Sequence, residues 1–293
     1  MKPCRQKSVP ASRLALSSGV AALVLFSALA APASAADSPR GESIAPSVTY
    51  ADLADLAGPA AVVAKAQVRK IAELDPVRAT GVRPGWARLY IEARTEAVLG
   101  GRVTLGEALR YLVDVPRDAK GKLPKLSKRS VILFARPVAG RPGELQLVAP
   151  DAQLLWDAGL ETRVKALLAE FYAPAAPGAI TGVREAIHVP GALAGEGETQ
   201  FFLTTAGGEP AAITVVRSPS VDPRWSVSFS ELVESSAPPP PRETLAWYRL
   251  ACFLPRQLAA SANVSTAPED RQAASRDYGF VLDQLGTCPR LRR

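Results

Sequence analysis

The sequence predicts an α+β fold: a small β-barrel first, then an α+β unit with a three-stranded antiparallel meander and C-terminal helices. Three observations carry that prediction. Between residues 62 and 150, five short segments are rich in valine, isoleucine, leucine or aromatics and are bounded by glycine, proline or charged turns. Between 198 and 232, three more strand-like segments follow an amphipathic stretch. From residue 244 onward the apolar spacing becomes helical.

In chain order, the N-terminus comes first. Lys2, Arg5, Lys7 and Arg13 form a basic head, Leu14 to Ala30 an apolar body, and Ala33 and Ala35 an A-x-A site. Together these predict a secretory signal peptide over residues 1–35, with an uncleaved anchor as the alternative. Cys4 precedes the apolar body, where a lipoprotein cysteine would have to follow it. The expected mature chain is therefore periplasmic or secreted, with no transmembrane segment after cleavage. Removing four of the 35 basic residues, and none of the 28 acidic ones, lowers the formal net charge from +7 to +3. A charge this small is not the electrostatic footprint of a nucleic-acid binder. Abundant alanine, arginine and proline fit a bacterial gene of high GC content.

Residues 36–47, "ADSPRGESIAPS", read as a disordered lead-in, and the barrel domain is expected over 48–158. Thr49 followed by Asp52 predicts a capped short helix with Leu53 and Leu56 on one face. In "VVAKAQVR" Val62, Ala64, Ala66 and Val68 then alternate with their neighbours, which favours a strand over the helix that alanine and lysine would also permit. Further strands are expected over 86–99, 108–116, 129–137 and 144–150.

The run "VVAKAQV", a long second strand ending in "AVLGG", then "ALRYLVDVP" and "SVILFARP", resembles the OB-type barrel of many secreted bacterial proteins, the broad group that includes netrin-like and TIMP-like modules. The chain as a whole resembles uncharacterised secreted two-domain proteins of bacteria. The resemblance implies an OB-like fold and no functional residue. The inhibitory TIMP pattern needs cysteines at the mature N-terminus, where "ADSPRGES" has none.

Between the strands at 108–116 and 129–137 lies "RDAKGKLPKLSKR". Arg117, Lys120, Lys122, Lys125, Lys128 and Arg129 stand there against the single acid Asp118. A loop of this kind on an OB barrel either holds phosphate or carboxylate groups or is a solvated hairpin that protects a sheet edge. No aromatic residue interleaves the lysines, which counts against base stacking.

The α+β domain is expected over 159–293. Val164, Leu167, Leu168 and Phe171 define a helical face that Pro174 and Pro177 terminate. Strands are expected over 198–205, 211–217 and 224–232, the first two joined by a glycine turn and the third alternating Trp225, Val227 and Phe229 with serines. The proline-rich spacer 234–242 leads to a helix over Thr244 to Leu254. Thr266, Ala267, Pro268 and Glu269 then predict a capping box opening a helix that Gly286 ends. Packed antiparallel, these helices would bring Cys288 to Cys252, so the pair is expected to form a disulfide. An apolar helix stripe is a poor setting for the alternative, a nucleophilic Cys252.

The usual chemistry is absent from the sequence. There is no G-x-S-x-G, H-E-x-x-H, C-x-x-C or phosphate loop. His188 is the sole histidine and is expected at a helix end, while Glu196 and Glu198 share a flexible loop too poor in ligands for calcium. Asn263 in "NVS" matches a glycosylation sequon that carries little weight in a bacterial chain. No catalytic residue, metal or cofactor is implied. The expectation is a non-catalytic binding or structural module of the bacterial envelope whose partner is an envelope protein or an anionic envelope polymer. A hydrolase of unfamiliar type is the alternative.

Overall fold

Thr49 opens helix α1 (Tyr50–Ala57) with the expected box. Its hydroxyl accepts from the Asp52 amide, and the Asp52 carboxylate accepts from the Thr49 amide. The structure, a computed structural model, describes residues 48–230 and 237–292, so the expected signal peptide, the lead-in and the start of the proline spacer lie outside the described residues. The described residues form one compact unit.

Six strands build the first sheet: β1 (Val62–Glu73), β2 (Trp86–Gly101), β3 (Ala108–Pro116), β4 (Ser130–Pro137), β5 (Glu144–Leu147) and β6 (Gln153–Leu155). Their order is β1-β2-β3-β5-β4-β6, and β1 also pairs with β4, which closes β1 to β5 into a barrel. All neighbours are antiparallel except β3 and β5. Inward positions alternate along the strands, as in Leu89, Ile91 and Ala93 of β2 and Leu109, Tyr111 and Val113 of β3, and these residues are buried. Burial pushes the Tyr111 phenol well above its ordinary range.

Helix α2 (Ala158–Phe171) is capped by Asp157, whose side chain accepts from the Leu160 amide, and it buries Val164, Leu167 and Leu168. A polar cluster fastens its start to the barrel. Glu161 accepts from the Trp156 indole at 2.6 Å and pairs with Lys165 at 2.6 Å, while Lys65 of β1 lies 3.6 Å over the Trp156 ring.

The second sheet has four antiparallel strands, not the expected three: β7 (Ile180–Pro190), β8 (Gly197–Thr205), β9 (Ala211–Ser218) and β10 (Val221–Ser228), in the order β10-β9-β8-β7. Register shifts between Ile180 and Gly182 and between Val183 and Glu185 break the two-residue period of β7, which hid it in the sequence. His188 therefore sits on a strand and not at a helix end. In β10, Trp225 and Val227 are buried as expected, and Ser228 is buried too instead of facing water.

One face of this sheet is covered by α4 (Pro268–Leu285), while α3 (Leu245–Phe253) packs against α1 and α2. A single core cluster runs from Val62 and Phe134 in the barrel to Phe201 and Tyr278. The capping box expected at Thr266 does not form. Ala267 occupies the N-cap without a side-chain bond, because Pro268 takes the first helical position and leaves Thr266 one residue too early. Gly286 ends α4 at φ 69°, and a Cβ there would meet Arg242 at 2.1 Å.

Cys252 and Cys288 are joined by a disulfide, with Cα atoms 5.2 Å apart. The chain then runs as a strap across the first turn of α1. Thr49 donates to the Pro289 carbonyl at 2.9 Å, and the amides of Leu291 and Arg292 donate to the two oxygens of Asp52, each at 3.1 Å. Arg290 reaches Asp55, which also accepts from the Tyr248 hydroxyl at 2.6 Å. Burial of Asp52 favours the neutral acid. Hydrogen bonds from Thr49, Leu291 and Arg292 outweigh it and hold the carboxyl below the usual range.

Candidate functional site

The alternation that buries Leu89 and Ile91 turns Arg88, Tyr90, Glu92 and Arg94 outward on β2, and the same alternation turns Arg110 and Leu112 outward on β3, with Asp114 next on that face but buried. Antiparallel register sets Glu92 opposite Arg110, Tyr90 opposite Leu112 and Arg88 opposite Asp114. Of these pairs only the last is a tight ion pair, bidentate at 2.7 and 2.8 Å. That bonding raises the Arg88 pKa.

The β4–β5 turn overhangs this face. Gly143 has φ +77°, and a Cβ there would lie 2.7 Å from the Ala108 carbonyl; its own carbonyl accepts from the Arg110 amide at 2.8 Å. Only glycine permits that approach, which brings Arg141 beside the outer face of β3. Beneath the turn, an open groove of about 1030 Å³ is lined by Arg69, Arg94, Arg110 and Arg141, with Glu107 among them. It continues into a second recess of about 700 Å³ lined by Tyr90, Leu112 and Gln146, and Arg110, Arg141 and Glu144 border both.

The arginines differ in how they are occupied. Arg141 pairs with Glu144 at 3.3 Å, and Glu92 is taken by Lys70 at 2.9 Å. Arg69, Arg94 and Arg110 have no carboxylate partner among the described residues. Three guanidinium groups, each with a planar fork of donors, are thus free to meet anionic oxygens on a concave surface.

The basic loop lies elsewhere, and none of its six cationic residues lines the groove. Arg117 is engaged by Glu73 and by the Gly121 carbonyl at 3.0 Å. Asp118 organises the turn by accepting from the amides of Lys120 and Lys122, both at 2.8 Å. Leu126 is buried and anchors the loop. Lys128 adopts φ 62°, and its amide donates to Val68 at 3.0 Å. Lys120, Lys122, Lys125, Lys128 and Arg129 project from this turn as exposed cations.

His188 belongs to a buried polar network. Its Nδ1 lies 2.8 Å from the Thr199 hydroxyl, which donates to Asp277 of α4, and Arg217 Nε donates to the other Asp277 oxygen. Thr199 and Asp277 are essentially inaccessible to solvent, so this constellation pins α4 to β8 and β9, while Arg217 at its edge is partly exposed. Glu196 and Glu198 do not act together: Glu196 accepts from the Leu193 amide at 3.2 Å and Glu198 from Gln200 at 2.7 Å. The Asn263 amide donates to the Arg271 carbonyl at 2.9 Å. Among the described residues, no three of His, Cys, Asp and Glu are grouped to hold a metal. No helix there is long and apolar enough to cross a membrane.

Sequence reasoning missed the groove although it quoted every strand that builds it. The available signal was the polar face of each strand: the alternation in "RLYIEAR" and "LRYLVD" already separates arginines from core residues. No protein-family model matches the chain, and a search of the curated proteins returns no match.

Proposed function

We propose that this protein is a non-catalytic binding module acting outside the cytoplasm in the bacterial envelope, and that its OB-like barrel takes an anionic ligand. The observation that carries this reading is the trio Arg69, Arg94 and Arg110, without a carboxylate partner among the described residues, on the wall of the groove of about 1030 Å³. Strand order β1-β2-β3-β5-β4 with closure onto β1 and a parallel β3–β5 pair supports the OB-like assignment. In such barrels the outer surface of the second and third strands is the common ligand face. The Cys252–Cys288 disulfide and the expected leader support an oxidising compartment. The five exposed cations of the 117–129 loop are a second candidate contact.

The test is capture from a solubilised envelope fraction with wild-type protein, with Arg69, Arg94 and Arg110 changed to alanine, and with Lys120, Lys122, Lys125 and Lys128 changed to alanine. A captured species lost in the arginine variant and kept in the lysine variant supports the groove. Identical capture by all three proteins rejects both basic surfaces. Turnover of any captured species by the purified protein would favour the hydrolase reading.

A further inference from the structure

The groove is not a uniform cationic surface, and its mixture of groups narrows the ligand. We propose that it binds an acidic polysaccharide, a chain of hydroxyl-rich sugars carrying carboxylates at intervals; the proposal rests on the binding-module reading above. Arg69, Arg94 and Arg110 offer donors to carboxylates, while Glu107 stands unpaired among them and Glu144 borders both recesses. A dense polyanion such as polyphosphate would meet repulsion from these carboxylates along the whole groove. An acidic saccharide meets less of it, because its carboxylates are spaced by neutral hydroxyls that donate hydrogen bonds and need acceptors, which Glu107, Glu144 and the Gln146 carbonyl provide.

The second recess supplies what a sugar ring requires besides polar groups. Tyr90 and Leu112 stand opposite each other across β2 and β3, and Leu112 is 45 % exposed. Their side chains make an aromatic and aliphatic platform against which the C–H face of a pyranose can pack. The two recesses share Arg110, so the platform and the arginine cluster lie along one continuous track. That layout fits an extended oligomer and not a single small anion.

The experiment is titration calorimetry of the purified protein with oligogalacturonate, with a neutral malto-oligosaccharide of equal length, with polyglutamate and with inorganic polyphosphate. Oligogalacturonate is expected to bind best, and the neutral oligomer at least about tenfold more weakly. Arg94→Ala and Arg110→Ala are each expected to lower oligogalacturonate affinity about tenfold, as the loss of one charge-assisted hydrogen bond does. Tyr90→Ala is expected to lower it by a smaller factor, and Lys125→Ala in the loop to leave it unchanged. Tighter binding of polyglutamate or polyphosphate, lost in the arginine variants, overturns the saccharide class while the anion-binding reading stands. Oligogalacturonate binding that survives both arginine substitutions overturns the site. Failure of all three polyanions to bind overturns the proposal and the anionic-ligand reading together.

Discussion

Arg217 on β9 and Arg94 on β2 are the same side chain on two different sheets, yet they stand at opposite ends of a scale. Arg217 Nε donates to Asp277, a carboxylate 1 % exposed that also accepts from Thr199. Arg94 is exposed and has no carboxylate partner among the described residues. The difference lies in what covers each sheet. Helix α4 lies over β8 and delivers an acid into its inner face, whereas the outer face of β2 and β3 is left to the groove. Where a carboxylate is buried with its partners, the charge holds elements together; where the guanidinium faces solvent in a hollow, it serves recognition.

The contrast is broken most severely at its buried end. Asp277→Ala removes the acceptor shared by Thr199 and Arg217, and urea denaturation is expected to register a loss of about 3–5 kcal/mol. If that variant unfolds as easily as wild type, the network is not structural. Next comes the strap. The folded-state pKa of Asp52 is depressed, so its contribution is fully present above the unfolded carboxylate value of about 3.9 and disappears as pH falls through the folded value. Amide exchange at Leu291 and Arg292 is expected to accelerate on acidification below about pH 4. Exchange independent of pH after correction for the intrinsic rate would place the restraint elsewhere.

Arg88 occupies the middle of the scale, paired with Asp114 on the barrel's outer face and 23 % exposed. Arg88→Met is expected to cost about 1 kcal/mol in the same denaturation assay, discounted for solvent screening. At the unpaired end, Arg94→Ala is expected to change stability by no more than about 0.5 kcal/mol while weakening ligand binding. A large destabilisation by Arg94→Ala would mean that the outer face is part of the scaffold.

Much of the fold was legible because its signals were local. Strand β3 matches its expected limits, 108–116, because Leu109, Tyr111 and Val113 alternate without interruption. The two T-x-x-acid patterns are instructive. At Thr49 the box forms; at Thr266 a proline two residues on shifts the register and leaves the hydroxyl outside it. The disulfide was legible since the helix stop at Gly286 turns Cys288 back towards Cys252. Strand β7 was not, because two bulges erase its period. The groove depends on cross-strand register, which sets Glu92 against Arg110, and on a glycine turn laid over β3; neither can be read from one segment alone.

Asp52 lies 239 and 240 residues before the two amides that bind it. The first turn of α1 is therefore finished by Leu291 and Arg292 of the strap. A chain emerging in order must keep that carboxylate waiting while the barrel and the second sheet form. Contacts at such separation are slow to close, because so much chain must be ordered before they are made. Closure of the strap onto α1 is consequently a late event in folding, and a chain cut before Leu291 leaves Asp52 without two of its donors.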